Sequence, residues 1–155
     1  MIEAVLLDTH IALWLDSGSE QLRPSTRAFI DGHWRNGGTV FLRAVTVWEI
    51  ALLIDIGWIE VDSAVEEWIE RFLDRLGIEP VPLGHRAACW AYTRHGLPHR
   101  DPADRLLIAS AIELGCPLIA YDERIVDFGK TQARRWASQS PRSGRFRIAA
   151  RRSAL

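Results

Sequence analysis

An α/β fold around a parallel sheet follows from three features of the 155-residue sequence. Short apolar runs end on acids, as in Glu3-Ala-Val-Leu-Leu-Asp8 and Pro117-Leu-Ile-Ala-Tyr-Asp122. Stretches with the apolar spacing of amphipathic helices separate these runs, and Gly or Pro marks most junctions. Strands of this length alternating with helices need crossover connections, and strands joined that way pair in parallel.

The elements follow in order. Residues 3–8 form a first strand with Asp8 at its end, and Thr9 to Leu15 a short helix broken by Ser17-Gly18-Ser19. Pro24 to Trp34 is a helix with proline in its first turn, stopped by Gly37-Gly38. Val40 to Arg43 is a second strand, after which Thr46 is placed to cap a helix from Val47 to about Ile56. Val65, Trp68, Ile69, Phe72 and Leu76 lie on one stripe of a helix over 63–76, closed by Gly77. A strand at 78–81 and a helix from His85 to His95 come next. Asp101 and Pro102 open the clearest helix, as N-cap and first residue, and it runs to Gly115. The last firm strand is 117–121.

Composition is that of an ordinary soluble domain, 48% hydrophobic and long enough for one core. No apolar run nears the roughly 20 residues of a membrane span, and the first residues lack the basic and apolar regions of a signal peptide, so a cytoplasmic location is expected. Cys89 and Cys116 stand apart without metal-ligand spacing and read as small apolar residues. Charge is uneven. Residues 1–130 carry twelve basic side chains against all twenty acids, whereas 131–155 carry seven Arg and no acid. The expected division is a domain over 1–130 and an Arg-rich tail over 131–155, in which 146–150 could add an edge strand.

Four acids stand out, each with a structural role open beside a chemical one. Asp8 and Asp122 both end a strand where a helix begins, a place that suits a helix cap or a metal ion. Glu49 lies in Thr46-Val-Trp-Glu-Ile50, where a Thr46/Glu49 capping box competes with a partly buried ligand. Asp104 sits one turn inside the helix that Asp101 caps, and both acids favour its dipole. Arg43, Arg100, Arg105 and Arg124 flank these positions and are candidates for contact with a phosphate backbone, beside ordinary surface or ion-pair roles. Trp14, Trp48 and Trp90 have core or interface spacing.

Leu6-Leu-Asp-Thr-His10, Thr46-Val-Trp-Glu-Ile50, Asp101-Pro-Ala-Asp-Arg-Leu-Leu-Ile-Ala109 and Leu118-Ile-Ala-Tyr-Asp122 closely resemble, in order and spacing, the four acidic motifs of PIN domains. The similarity is greatest to the VapC-type toxins of toxin–antitoxin pairs, and it covers residues 3–128. It implies a PIN-like three-layer fold of four to five strands. It further implies catalytic, metal-holding acids at Asp8, Glu49, Asp104 and Asp122, supported by Thr9, Thr46 and Asp101. The expected cofactor is Mg²⁺ or Mn²⁺, the substrate RNA, and the partners a VapB-type antitoxin and a second copy of the chain.

The residue types suit that chemistry. Hard cations prefer carboxylate oxygen, and clustered carboxylates stay ionised together only when cations neutralise them. One or two ions can activate water for in-line attack on phosphorus, so no protein nucleophile is required. His10 stands where many PIN domains carry Asn, and the tail does not look like the closing strand usual in the family. An aspartyl-phosphate phosphatase would need a second Asp two residues after Asp8, where His10 stands. A PIN-fold interaction protein without activity, or a PIN nuclease outside toxin–antitoxin pairs, are the remaining alternatives.

Overall fold

The computed structural model describes residues 3–94, 96–97, 101–123 and 125–127, the side chains of 75 and 76 excepted. Among the described residues, four strands and six complete helices follow in the order β1 (Ala4–Leu7), α1 (Thr9–Ser17), α2 (Pro24–Arg35), β2 (Thr39–Arg43), α3 (Ala44–Asp55), α4 (Val65–Leu76), β3 (Glu79–Val81), α5 (His85–Thr93), α6 (Pro102–Leu114) and β4 (Leu118–Ile119). All strand pairs are parallel, in the order β3-β2-β1-β4.

The strand alternation sorts side chains into two cores. Val5, Leu7, Val40, Leu42 and Ile119 face one way and pack with Ile11, Ile30, Ile50 and Phe72 from α1, α2, α3 and α4. Leu6 and Leu118 face the other way, onto Val45, Leu107, Ile108 and Ala111 of α3 and α6. Period-two alternation therefore gives β1 and β4 a helix layer on each face, the three-layer arrangement expected. Gly77 and Gly115 end α4 and α6 at φ 57° and 63°, a left-handed turn that costs glycine little.

Most helix boundaries fall within two residues of expectation, but α3 is an exception. It starts at Ala44 because β2 runs straight into it, with Arg43 in extended backbone as the N-cap. Thr46 is thus inside the helix, and the expected capping role of Thr46 is not realised. The helix over 85–95 ends at Thr93, and β4 is shorter than 117–121. The tail from 131, the edge strand suggested at 146–150, Arg100 and Arg124 lie outside the described residues. No helix among the described residues is long and apolar enough to cross a membrane.

Candidate active site

β1 hydrogen-bonds β2 on one side and β4 on the other, so successive connections leave it in opposite directions. In open parallel sheets the crevice at such a switch point, beyond the carboxyl ends of the strands, is where ligands bind. Asp8 follows β1 directly, and its N–H donates to the Ile119 carbonyl of β4 at 3.0 Å. Asp122 lies just past β4 on the same edge. The sheet thus brings the first and last motifs together across a single strand pair.

Asp8 occupies the N-cap position of α1, yet its side chain makes no capping hydrogen bond. Its carboxyl is instead buried at 9% exposure. Burial pushes its pKa from 3.8 up to about 7; the nearby His10 charge opposes that rise, Asp104 and Glu49 reinforce it by repulsion, and a hydrogen bond from the Thr9 backbone opposes it. His10 Nδ1 stands 3.9 Å from Asp8 Oδ2, with the histidine largely in solvent. The charges of two of the other three acids therefore reach Asp8.

Each neighbour is placed by its own element. Glu49 is half-buried in α3, one turn beyond Thr46. Thr46 is fully buried and accepts a hydrogen bond from the Thr9 hydroxyl at 3.2 Å, fixing α3 against the start of α1. Asp101 caps α6 by accepting from the N–H groups of Ala103 and Asp104 at 2.8 and 3.2 Å. The cap is thus carried by Asp101, and the half-buried Asp104 stands in the first turn beyond it. Asp122 is exposed and accepts from the Ile125 N–H at 3.4 Å, so here a capping role is present.

The two flanking arginines that the structure describes differ in character. Arg43 is no surface residue: at 2% exposure it is paired with Glu113, donates to Ser110 Oγ at 2.9 Å and to the Pro82 carbonyl at 2.7 Å. Its guanidinium joins β2 to α6 and to the segment after β3, so the expectation of RNA contact there is overturned. A strand-end Arg beside apolar residues carries no sequence signal of a partner 70 positions away. Arg105 is half-buried; its Nε donates to the Ala91 carbonyl at 2.6 Å and its guanidinium lies over the Tyr92 ring at 4.8 Å.

Sequence reasoning also missed Tyr121. Its hydroxyl accepts from the Arg23 N–H at 2.9 Å and donates to Thr26 Oγ1 at 2.7 Å, tying the residue before Asp122 to the start of α2. A polar-tipped aromatic at a strand end was the available signal.

The donor set, carboxylates beside two threonine hydroxyls, is that of a hard cation, and the pKa of Asp8, raised mainly by burial and further by Asp104 and Glu49, marks a carboxylate whose charge a cation would stabilise. The residues fit such an ion in chemistry. As the side chains stand, no three His, Cys, Asp or Glu among the described residues are gathered closely enough to hold one.

Comparison with known proteins gives the family and relatives of the same fold. The profile of the PIN domain matches residues 5–131. Ribonuclease VapC22 of Mycobacterium tuberculosis (strain ATCC 25618 / H37Rv) is 27% identical over 121 residues, 78% of this chain and 88% of that protein. The crystal structure of VapBC2 from Rickettsia felis, bound to a DNA fragment from their promoter, superposes with a TM-score of 0.55 at 15% identity, covering 76% of this chain and 86% of that one. FitAcB from Neisseria gonorrhoeae gives the same TM-score at 18% identity, covering 80% and 91%.

Proposed function

The chain belongs to the PIN-domain family, and from that premise we propose that it is an endoribonuclease toxin, dependent on Mg²⁺ or Mn²⁺ and neutralised by a cognate antitoxin in the cytoplasm. The observation that carries the reading is the Asp8 carboxyl, buried at the sheet's switch point with the charges of Asp104 and Glu49 upon it. A buried, mutually repelling carboxylate group destabilises the fold, and a site that tolerates it has a use for the charge.

Asp8, Glu49 and Asp104 would hold the ion, with Asp122 at the exposed rim. When bound, such a cation supplies Lewis-acid activation of water and neutralises charge on the phosphoryl oxygens. The chain's own part is positional. The Thr9–Thr46 hydrogen bond sets the spacing of α1 and α3, hence of Asp8 and Glu49. The Asp101 cap fixes the first turn of α6, hence Asp104. His10 stands at the solvent edge of the site, 3.9 Å from Asp8 Oδ2.

The antitoxin reading rests on the likeness to Ribonuclease VapC22 and on the VapC-type character of the four motifs. A basic segment, with Arg as the best geometric match to paired carboxylates, would suit the acidic crevice. The homodimer would use α3, whose Trp48, Leu52 and Ile56 are exposed four residues apart, with Trp58 beyond them.

The deciding experiment is cleavage of single-stranded RNA by the purified chain with Mn²⁺, with excess EDTA, and by Asp104→Asn. Cleavage that needs Mn²⁺ and falls at least a hundredfold in Asp104→Asn is expected. Equal cleavage in EDTA would remove the metal mechanism.

A further inference from the structure

The geometry points to the outer face of α5, with Arg105 of α6, as the platform that holds single-stranded RNA as it enters the acidic crevice. This rests on the ribonuclease reading above. That reading leaves a difficulty, because residues 1–130 have eight more acids than basic side chains and would repel a polyanion.

One stretch of the body departs from that balance. Between Glu79 and Asp101 the sequence has no acid at all, and it carries three Arg and three His. The described part of this stretch pairs its cations with aromatic rings. Arg94 lies 4.2 Å and Arg86 5.6 Å from the centroid of Trp90, which follows Arg86 by four residues and precedes Arg94 by four. Arg105 covers Tyr92 at 4.8 Å, and Tyr92 remains 64% exposed.

Physical chemistry gives such a surface its ligand. A guanidinium resting on a ring loses much of its side-chain freedom before any ligand arrives, and its donor fork matches phosphate oxygens. An exposed ring beside a cation, as Tyr92 is, offers a stacking face to any base. From Arg86 to Arg94 is about 12 Å of helix rise, the length of roughly three to four stacked nucleotides at about 3.4 Å each. An acidic protein segment would use the cations but leave the Tyr92 ring without a matching flat partner.

The platform also leads to the acids. α5 packs along α6, and the Arg105 Nε bond to the Ala91 carbonyl joins the end of α5 to the first turn of α6. Arg105 is the residue after Asp104, whose charge is felt at Asp8. The cation over Tyr92 therefore stands on the same first turn of α6 as Asp104.

The test is binding of a fluorescent single-stranded RNA 12-mer to the full chain in EDTA, at several salt concentrations, for wild type, Arg86→Gln/Arg94→Gln and Tyr92→Ala. The Arg-rich C-terminal sequence is common to all three, so differences report α5 alone. The double variant should flatten the slope of log affinity against log salt by about 1.4, at about 0.7 per lost phosphate contact. Tyr92→Ala should weaken binding about tenfold with little change of slope. Hydrogen exchange of the wild-type protein should show residues 85–94 protected by the RNA, a readout that survives any folding defect of the variants. Unchanged slope and affinity in the folded variants, or no protection of 85–94, would overturn the platform while Mn²⁺-dependent cleavage by wild type keeps the ribonuclease reading. Protection of 85–94 by poly-glutamate equal to that by RNA would assign the face to an acidic protein instead. A wild-type chain that neither binds nor cleaves RNA ends both.

Discussion

Replacing Asp8 by Asn should stabilise the metal-free protein, and by more at pH 8 than at pH 5. Burial and the Asp104 and Glu49 charges raise the folded-state pKa from 3.8 to about 7. Between these values the folded state keeps a proton that the unfolded chain has released, so stability falls as pH rises through that window and levels off above it. By linkage the carboxyl costs about 2 kcal/mol at pH 5 and about 4 kcal/mol at pH 8. Asn carries no charge, and its amide has its own burial cost of roughly 1–3 kcal/mol, which does not vary with pH. The difference between the two pH values, about 2–3 kcal/mol, is therefore the cleaner quantity. For a domain of this size it corresponds to about 5–10 °C in melting temperature. Thermal unfolding of both proteins in EDTA, followed at the two pH values, measures it. A melting difference that is the same at pH 5 and pH 8 would show that Asp8 is not held in its neutral form, and the argument for a crowded carboxylate site would fail with it.

Three further outcomes are expected. Arg43→Met should destabilise by about 3–5 kcal/mol, because Glu113 is left partly buried without its partner; a chemical-denaturation midpoint equal to wild type would show the pair contributes nothing. Truncation before Ser138 should leave the melting temperature and Mn²⁺ affinity nearly unchanged while flattening the salt dependence of RNA binding, since it removes five of the seven Arg that follow residue 130; a large loss of thermal stability would instead assign the tail to the fold as an edge strand. Trp48→Glu should convert a dimer to a monomer by light scattering at micromolar concentration, because it places a charge in the exposed apolar row of α3. A wild-type chain already monomeric there would refute the dimer.

The parts legible in the sequence were those governed by local rules. Period-two and helical spacing located the strands and helices, and Asp101-Pro102 marked the start of α6 because cap and first-residue chemistry act within three positions. The start of α3 was misread for the same reason. Thr46 and Glu49 satisfy the local rule for a capping box, but the helix begins three residues earlier than that rule places it, where strand β2 continues into it, and Thr46 turns inward to Thr9. A partner 37 residues away overrides the local preference, and nothing near Thr46 announces it. Arg43 shows the same limit. Its neighbours suggested a surface cation beside a motif, whereas Ser110 and Glu113 of α6 and the Pro82 carbonyl hold it inside. The approach of Asp104 and Glu49 to Asp8 was expected from motif resemblance alone, since spacing along the chain does not fix distance across a sheet.

These long-range contacts bear on how the acids can coexist. Repelling carboxylates could relax by moving apart, and the elements that carry them are tied against such movement. α1 and α3 are joined by a buried hydroxyl pair, β2 and α6 by the Arg43–Glu113 ion pair, and β1 and β4 by the ladder that continues into the Asp8 N–H. With backbone relaxation opposed, the remaining responses to the repulsion are protonation and binding of a cation. The pKa of Asp8, near 7, places protonation in direct competition with metal around neutral pH. Mn²⁺ affinity should therefore rise with pH up to about 7 and change little beyond it, with one proton displaced below that point. Isothermal titration in buffers of different ionisation enthalpy measures that proton at pH 6 and its disappearance at pH 8. Equal proton release at both values would mean that the ion is held by groups other than Asp8.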